Sequence, residues 1–237
     1  MKDEILRQIK AEARTTASEK QAELDAKYFI ALAKGGKTKP VRQTYTPPDS
    51  RAELKKRLKA ASGLPAKTPA KNTIPEFKKT FDTLDKYISA FPTPKNLVFI
   101  GAAGTGKTYA AQYVGGKLLD KEFSVLLLTA FSLIQRFKDY VFNFETSALN
   151  HLLTCDLLII DDLGTEPKIR NISEEYLLNV INERLTNNMP FIITTNLSPE
   201  DILARYDQRL TSRILSKQTS VVIEMKSKDL RLGSPRQ

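Results

Sequence analysis

Residues 101–108 read Gly101-Ala102-Ala103-Gly104-Thr105-Gly106-Lys107-Thr108, which is the spacing G-x-x-x-x-G-K-[ST]. The chemistry of that spacing is phosphate binding. Gly104 and Gly106 permit backbone angles that turn successive N–H groups inward, and a helix starting there adds its positive end. Gly101 opens the loop and Thr105 lies within it. Lys107 reaches the β- and γ-phosphates of a nucleotide, and Thr108 offers a hydroxyl to Mg²⁺. The expected ligand is a nucleoside triphosphate with its magnesium.

Two further stretches supply what a reaction at such a site requires. Leu157–Ile160 is an apolar run that ends in Asp161 and Asp162. With a phosphate loop present, the first acid holds Mg²⁺ through water and the second can polarise the attacking water. The same pair could instead only cap a buried strand. Glu166 and Glu174 follow as assisting acids or as surface ion-pair formers. Phe191–Thr195 is another apolar run ending in Asn196, an amide able to orient water and contact the γ-phosphate, or else an ordinary turn before Ser198-Pro199.

The elements that must position these groups follow from the pattern. Short continuous apolar runs at 97–100, 125–128, 157–160, 191–195 and 221–224 predict strands. Amphipathic stretches near 107–119, 131–142, 174–188, 199–205 and 208–216 predict helices between them. That alternation describes a five-stranded parallel sheet covered on both faces, an α/β domain with ligands at the carboxyl ends of its strands. Phe77, Phe81, Leu84, Ile88 and Phe91 add an amphipathic helix in front, so the domain is expected over 73–237.

Two segments precede it. Residues 1–33 carry Ile5, Ile9, Ala13 and Ala17, then Leu24, Tyr28 and Leu32, at helical spacing, and predict an arm that must dock on something. Residues 34–72 are rich in proline, and 13 basic against 3 acidic residues between 34 and 79 account for the whole net charge of +10. That stretch reads as a flexible cationic connector with a short helix over 50–60. It is either a solvated linker or a patch for nucleic acid phosphates. The helix after the second strand interleaves Ser132, Arg136 and Lys138 with aromatic residues, a pattern suited to a single-stranded backbone, while Phe131, Leu133, Ile134 and Phe137 suit a core.

Composition excludes several classes. One cysteine, Cys155, and one histidine, His151, leave no disulfide framework, no cysteine-built zinc site and no histidine-based metal centre. The apolar runs are far short of the roughly 20 residues a membrane span needs. The start MKDEILRQIK has no apolar signal core, so a cytoplasmic location without membrane association is expected.

The order of phosphate loop, apolar strand with Asp-Asp, then Thr-Thr-Asn resembles the AAA+ ATPases. Within that resemblance Tyr206–Ile214 is similar to the segment that lends an arginine finger to a neighbouring subunit. It implies Arg213 as the finger, with Arg209 second, and assembly on itself or on a related AAA+ neighbour. Many relatives carry Glu where this chain has Asp162, one methylene shorter, which implies slow turnover. Only 13 residues follow Glu224, too few for the usual helical lid. A truncated core behind a helical arm resembles the DnaC/DnaI helicase loaders and the IstB transposition helpers. The resemblance covers about Phe77 to Arg231, and implies Arg231 as a nucleotide contact and Ser132, Arg136 and Lys138 as DNA contacts. The chain departs from DnaI-type loaders in lacking cysteines for their zinc-carrying domain, so its arm would use apolar helix faces.

The function implied is an ATP-dependent loader that grips a replicative DnaB-type helicase with the arm and places it on single-stranded DNA. ATP and Mg²⁺ are the cofactors, and slow hydrolysis is a release switch. The alternatives are an IstB-like helper that remodels target DNA for a transposase, or an ATP-binding adaptor without turnover. No N-K-x-D is present for guanine, and adenine preference is implied by the resemblance alone.

Overall fold

The computed structural model describes residues 56, 58–72, 74–93, 95–143 and 147–226. The arm expected over 1–33 and Arg231 lie outside these residues. The chain divides into a larger unit, 48–134 with 155–237, and a smaller one, 1–47 with 135–154.

The elements in chain order are α1 (Pro75–Ala90), β1 (Asn96–Ile100), α2 (Lys107–Asp120), β2 (Val125–Thr129), α3 (Ala130–Phe142), α4 (Ser147–Thr154), β3 (Leu157–Leu163), α5 (Ser173–Thr186), β4 (Phe191–Thr195), α6 (Pro199–Arg205), α7 (Gln208–Ile214) and β5 (Ser220–Glu224). The five strands form one parallel sheet in the order β2-β3-β4-β1-β5. β1 and β4 are buried along their whole length, as strands covered on both faces must be. On α1 the residues Phe77, Phe81, Leu84, Tyr87 and Ile88 are buried, and they join Ala110, Val114 and Leu118 of α2 in one core cluster with Leu97, Phe99 and Ile192 of the sheet. Among the described residues no helix is long and apolar enough to cross a membrane.

One irregularity shapes the site. β3 and β4 pair as Ile160 with Ile193, but next as Leu163 with Thr195. Asp161 and Asp162 therefore oppose the single residue Thr194, which is a β-bulge. β3 does not stop at Ile160, as the apolar run suggested; it continues through both acids to Leu163. Asp162 adopts φ 55°, a left-handed conformation uncommon outside glycine.

Two other expectations change. The end of the supposed flexible connector is structured. Ser62 is buried and its carbonyl accepts Leu127 N at 2.7 Å, on the free side of edge strand β2. The carbonyl of Ala70 accepts the Tyr109 hydroxyl at 2.9 Å. Lys71 Nζ donates to Asp82 at 2.8 Å and Asp85 at 2.7 Å on α1. Composition suggested a solvated chain, but a few backbone bonds and one ion-pair cluster suffice to seat 62–72 on the larger unit. Residues 56 and 58–61 of the short basic helix are helical. Second, Phe131 is not core: it is 59% exposed, while Leu133, Ile134 and Phe137 are buried. In the smaller unit, α4 is a helix the sequence reading did not anticipate.

Candidate nucleotide-binding site

The phosphate loop joins β1 to α2, so its backbone lies at the carboxyl end of a central strand and at a helix start. Gly104 and Gly106 have φ of 78° and 88°, and Gly106 is the N-cap of α2. A side chain at Gly106 would be strained in this conformation. At Gly101 the constraint is space, because a Cβ there would stand 2.4 Å from the carbonyl oxygen of Met225, whose own N–H bonds Ile100. Thr105 is buried and donates its hydroxyl to the Ala102 carbonyl at 2.9 Å. Its side chain closes the loop, and what it can offer a phosphate is its main-chain N–H.

Lys107 is only 4% exposed. Its ammonium donates to the carbonyls of Gly101 at 2.8 Å and Ala102 at 2.7 Å, and to Asn196 Oδ1 at 2.7 Å. Lys107 thus bridges the phosphate loop to the end of β4, and Asn196 is brought to the site as expected. Thr108 Oγ1 donates to Asp161 Oδ1 at 2.9 Å. Asp161 is itself buried and also accepts the Thr194 hydroxyl at 2.6 Å. Thr194 Oγ1 in turn accepts the Asp162 N–H at 2.9 Å. One threonine therefore holds both residues of the bulge, turning Asp161 toward Thr108 while Asp162 lines the cavity.

That cavity is about 680 Å³, large enough for a nucleotide-sized ligand. Its phosphate end is formed by Gly104, Gly106, Lys107, Thr108, Asp162 and Asn196. Most of the remaining wall comes from Lys71, Asn72, Phe77, Phe81, Tyr109 and Gln112, which the sequence reading did not assign to a site. Phe77 and Phe81 had been read only as the apolar stripe of α1. The signal was their position beside a polar Lys71-Asn72 step, which becomes meaningful once 62–72 is seated.

The donor set fits magnesium. The Thr108 hydroxyl and Asp161 carboxylate are hard oxygens, and two protein oxygens leave room for phosphate oxygens and water, the usual Mg²⁺ arrangement. Among the described residues no cluster of three or more His, Cys, Asp or Glu side chains could hold a metal by itself.

The arginines lie elsewhere. Arg209 and Arg213 are on α7 and neither lines the cavity. Arg209 pairs with Asp207 at 2.6 Å and is 73% exposed, and Arg213 donates to the Arg209 carbonyl at 2.8 Å. Glu166 is not a surface residue: it is 4% exposed and pairs with Arg205 at 3.2 Å. Glu174 accepts the Asp207 N–H at 2.5 Å, which makes it a structural partner of α7. Ser132, Arg136 and Lys138 all fall on α3 and are half-buried; the first belongs to the larger unit and the other two to the smaller. Ser132 accepts the Thr129 hydroxyl at 2.9 Å.

The family model of IstB-like ATP binding proteins matches residues 72–237, from the cavity wall to the end of the chain. The chain belongs to this IstB-like ATP-binding family. Its fold is the α/β P-loop AAA+ fold: the crystal structure of the DnaC helicase loader superposes with a TM-score of 0.58 at 24% identity, covering 72% of this chain and 99% of that one. Among curated relatives, the replicative helicase loader DnaI of Bacillus subtilis (strain 168) is 25% identical over 109 residues, 46% of this chain and 35% of that protein. The replicative helicase loader DnaC of Buchnera aphidicola subsp. Baizongia pistaciae (strain Bp) is 33% identical over 98 residues, 39% of each. This IstB-like chain therefore aligns with little more than a third of the length of either loader.

Proposed function

We propose that this IstB-like protein is an ATP-dependent loader that binds the replicative DNA helicase and sets it on single-stranded DNA, with slow ATP hydrolysis releasing it. The observation that carries the reading is the convergence of Lys107, Thr108, Asp161, Asp162 and Asn196 at one end of a nucleotide-sized cavity. The similarity to two helicase loaders supports the biological assignment.

Each residue then has a task. The N–H groups of the loop and of the first turn of α2 bind the phosphates. Lys107 exchanges Asn196 and the two loop carbonyls for β- and γ-phosphate oxygens, so ATP entry frees Asn196 to orient the attacking water. Mg²⁺, held by Thr108 and Asp161, supplies charge neutralisation for the phosphates when bound. Asp162 accepts a hydrogen bond from the water that attacks the γ-phosphorus, and its short side chain keeps turnover slow. The bond from that phosphorus to the β,γ-bridging oxygen breaks, leaving ADP and phosphate. Arg213, with Arg209 second, projects toward the nucleotide of an adjoining subunit, and Arg231 contacts nucleotide in its own chain. Residues 1–33 grip the helicase, the stretch from 34 to 61 connects, 62–72 belong to the nucleotide-binding core, and Ser132, Arg136 and Lys138 contact DNA.

The test is paired. Turnover stimulated by single-stranded DNA should vanish in Lys107→Ala, and capture of a DnaB-type helicase should be lost when residues 1–33 are removed, a deletion that spares the seated residues 62–72. Undiminished capture would refute the arm's role. The family match favours a second reading, a transposition helper that remodels target DNA. ATP-dependent binding to duplex DNA together with a transposase, and no helicase capture, would select it. Nucleotide binding without any turnover would select a shape-setting adaptor instead.

A further inference from the structure

Glu166 lies four residues beyond Asp162 and belongs neither to the phosphate cradle nor to the acid pair. It is nevertheless buried, which a carboxylate tolerates only with several partners. Its Oε2 accepts the Gly164 N–H at 2.8 Å, and its Oε1 accepts Arg205 Nη2 at 3.2 Å and the Tyr206 hydroxyl. Arg205 also donates to the Glu166 carbonyl, and Lys168 to the Arg205 carbonyl. Burial, and then the Glu166 carboxylate, push the Tyr206 phenol well above its ordinary range, so the hydroxyl keeps its proton.

The two ends of this cluster have different owners. Gly164 follows the bulge that holds Asp161 and Asp162. Arg205 and Tyr206 are the last residue and the C-cap of α6, and Asp207, next in sequence, caps α7 through the Leu210 N–H at 2.7 Å. α7 has seven residues and carries Arg209 and Arg213. One buried carboxylate thus fastens the loop leaving the acid pair to the hinge of the helix pair that bears both arginines.

We propose that Glu166 is a positioning residue: it holds α6 and α7, and with them Arg209 and Arg213, in register with the loop of Asp162, so that docking of a neighbouring subunit on α7 is felt at the acid pair. This rests on the assignment of α7 as the finger-bearing helix, and the experiment separates the two. Steady-state ATP turnover is measured on the full chain with single-stranded DNA for E166Q, for the double variant R209A/R213A, and for the triple variant.

E166Q should lower kcat by about tenfold or more while the KM for ATP stays within about twofold. Because the residues act as one unit, the triple variant should turn over within about twofold of R209A/R213A. If E166Q costs its full factor again in the R209A/R213A background, Glu166 acts on the acid loop or the fold alone and the proposal is overturned. It is equally overturned if E166Q leaves kcat unchanged. If R209A/R213A turns over like the wild type, the finger assignment itself fails and Glu166 has no arginine to position. Y206F keeps the ion pair between Glu166 and Arg205 and removes only the two bonds of the phenol, one donated to Glu166 and one accepted from Arg205 Nε, so it should give a smaller loss of kcat at unchanged KM, which a general folding defect would not.

Discussion

Thr194 is the residue on which the acid pair turns, and replacing it with valine tests the account of the bulge directly. The substitution keeps shape and leaves no cavity, but removes a hydroxyl that donates to Asp161 at 2.6 Å and accepts the Asp162 N–H at 2.9 Å. A hydrogen bond to an ionised acceptor contributes about 1.5–3 kcal/mol, and an orphaned buried amide costs about 1–3 kcal/mol. Asp162 is half-buried, so water can replace part of the second loss. The expected destabilisation is about 2.5–4 kcal/mol, or about 5–16 °C in Tm for a domain of this size. Thermal and urea unfolding of Thr194→Val without nucleotide would read it. Magnesium-dependent nucleotide affinity should fall as well, because Asp161 loses its fixed orientation. A variant within about 0.5 kcal/mol of the wild type would refute the role of this hydroxyl, since that is the ordinary effect of an inconsequential substitution.

Other outcomes follow from the same geometry. Gly101→Ala puts a methyl group against the Met225 carbonyl, and should cost about 1–3 kcal/mol and abolish nucleotide uptake in calorimetry; normal uptake would show that the loop can shift. Asn196→Ala removes one acceptor of Lys107 and leaves the carbonyls of Gly101 and Ala102, so ATP affinity should stay within about threefold while turnover falls by about 10- to 100-fold. The seat of residues 62–72 should depend on pH. The hydrogen bonds that Lys71 donates to Asp82, then to Asp85, raise its amine, while those that Asp85 accepts from Lys71 and then Tyr113 lower its carboxyl. Burial, and then Asp85, push the Tyr113 phenol up to about 12. A lowered carboxyl stabilises above about pH 4 and loses this as pH falls; a raised amine or phenol stabilises below about pH 10 and loses this as pH rises. Proteolytic cleavage within 62–72 should therefore be slowest between about pH 5 and 9 and faster on either side, with a modest amplitude because the side chains of Lys71, Asp82 and Asp85 are exposed to water. Equal rates from about pH 5 to 11 would contradict it.

What could be read from sequence was what is local. The phosphate loop, the strand cores and the stripe of α1 each depend on neighbours a few positions away, so spacing and period reveal them. The rest of the cavity wall assembles from residues 71–81 and 109–112, and no period links a proline-rich stretch to a helix beyond a strand. The role of Thr194 was hidden for a related reason: Thr-Thr-Asn marks the end of a strand in the sequence, but only the register with β3 gives the Thr194 hydroxyl two partners. Glu166 was misplaced because charge argues for exposure, whereas Arg205 and Tyr206, some forty residues on, supply its burial. Residues 62–72 were misread because they were taken with the basic, proline-containing stretch before them, while Ser62 and Ala70 are held by their backbone carbonyls.

The bulge in β3 has a consequence for how this chain can vary. Alternation along a strand assigns neighbouring side chains to opposite faces, so two adjacent acids in an ordinary strand cannot serve one pocket. The extra residue suspends that rule for a single step. Exchanging Asp161 removes the acceptor of the Thr194 and Thr108 hydroxyls, and Asp162 stands at a φ of 55° that few side chains adopt, but neither exchange changes the count of residues that makes the bulge. Losing one residue between Ile160 and Leu163 would instead restore regular pairing with β4, hide one carboxylate and pull Gly164 and Glu166 a step away from α6. Lineages that keep this pocket should therefore hold the number of residues between these strand ends constant.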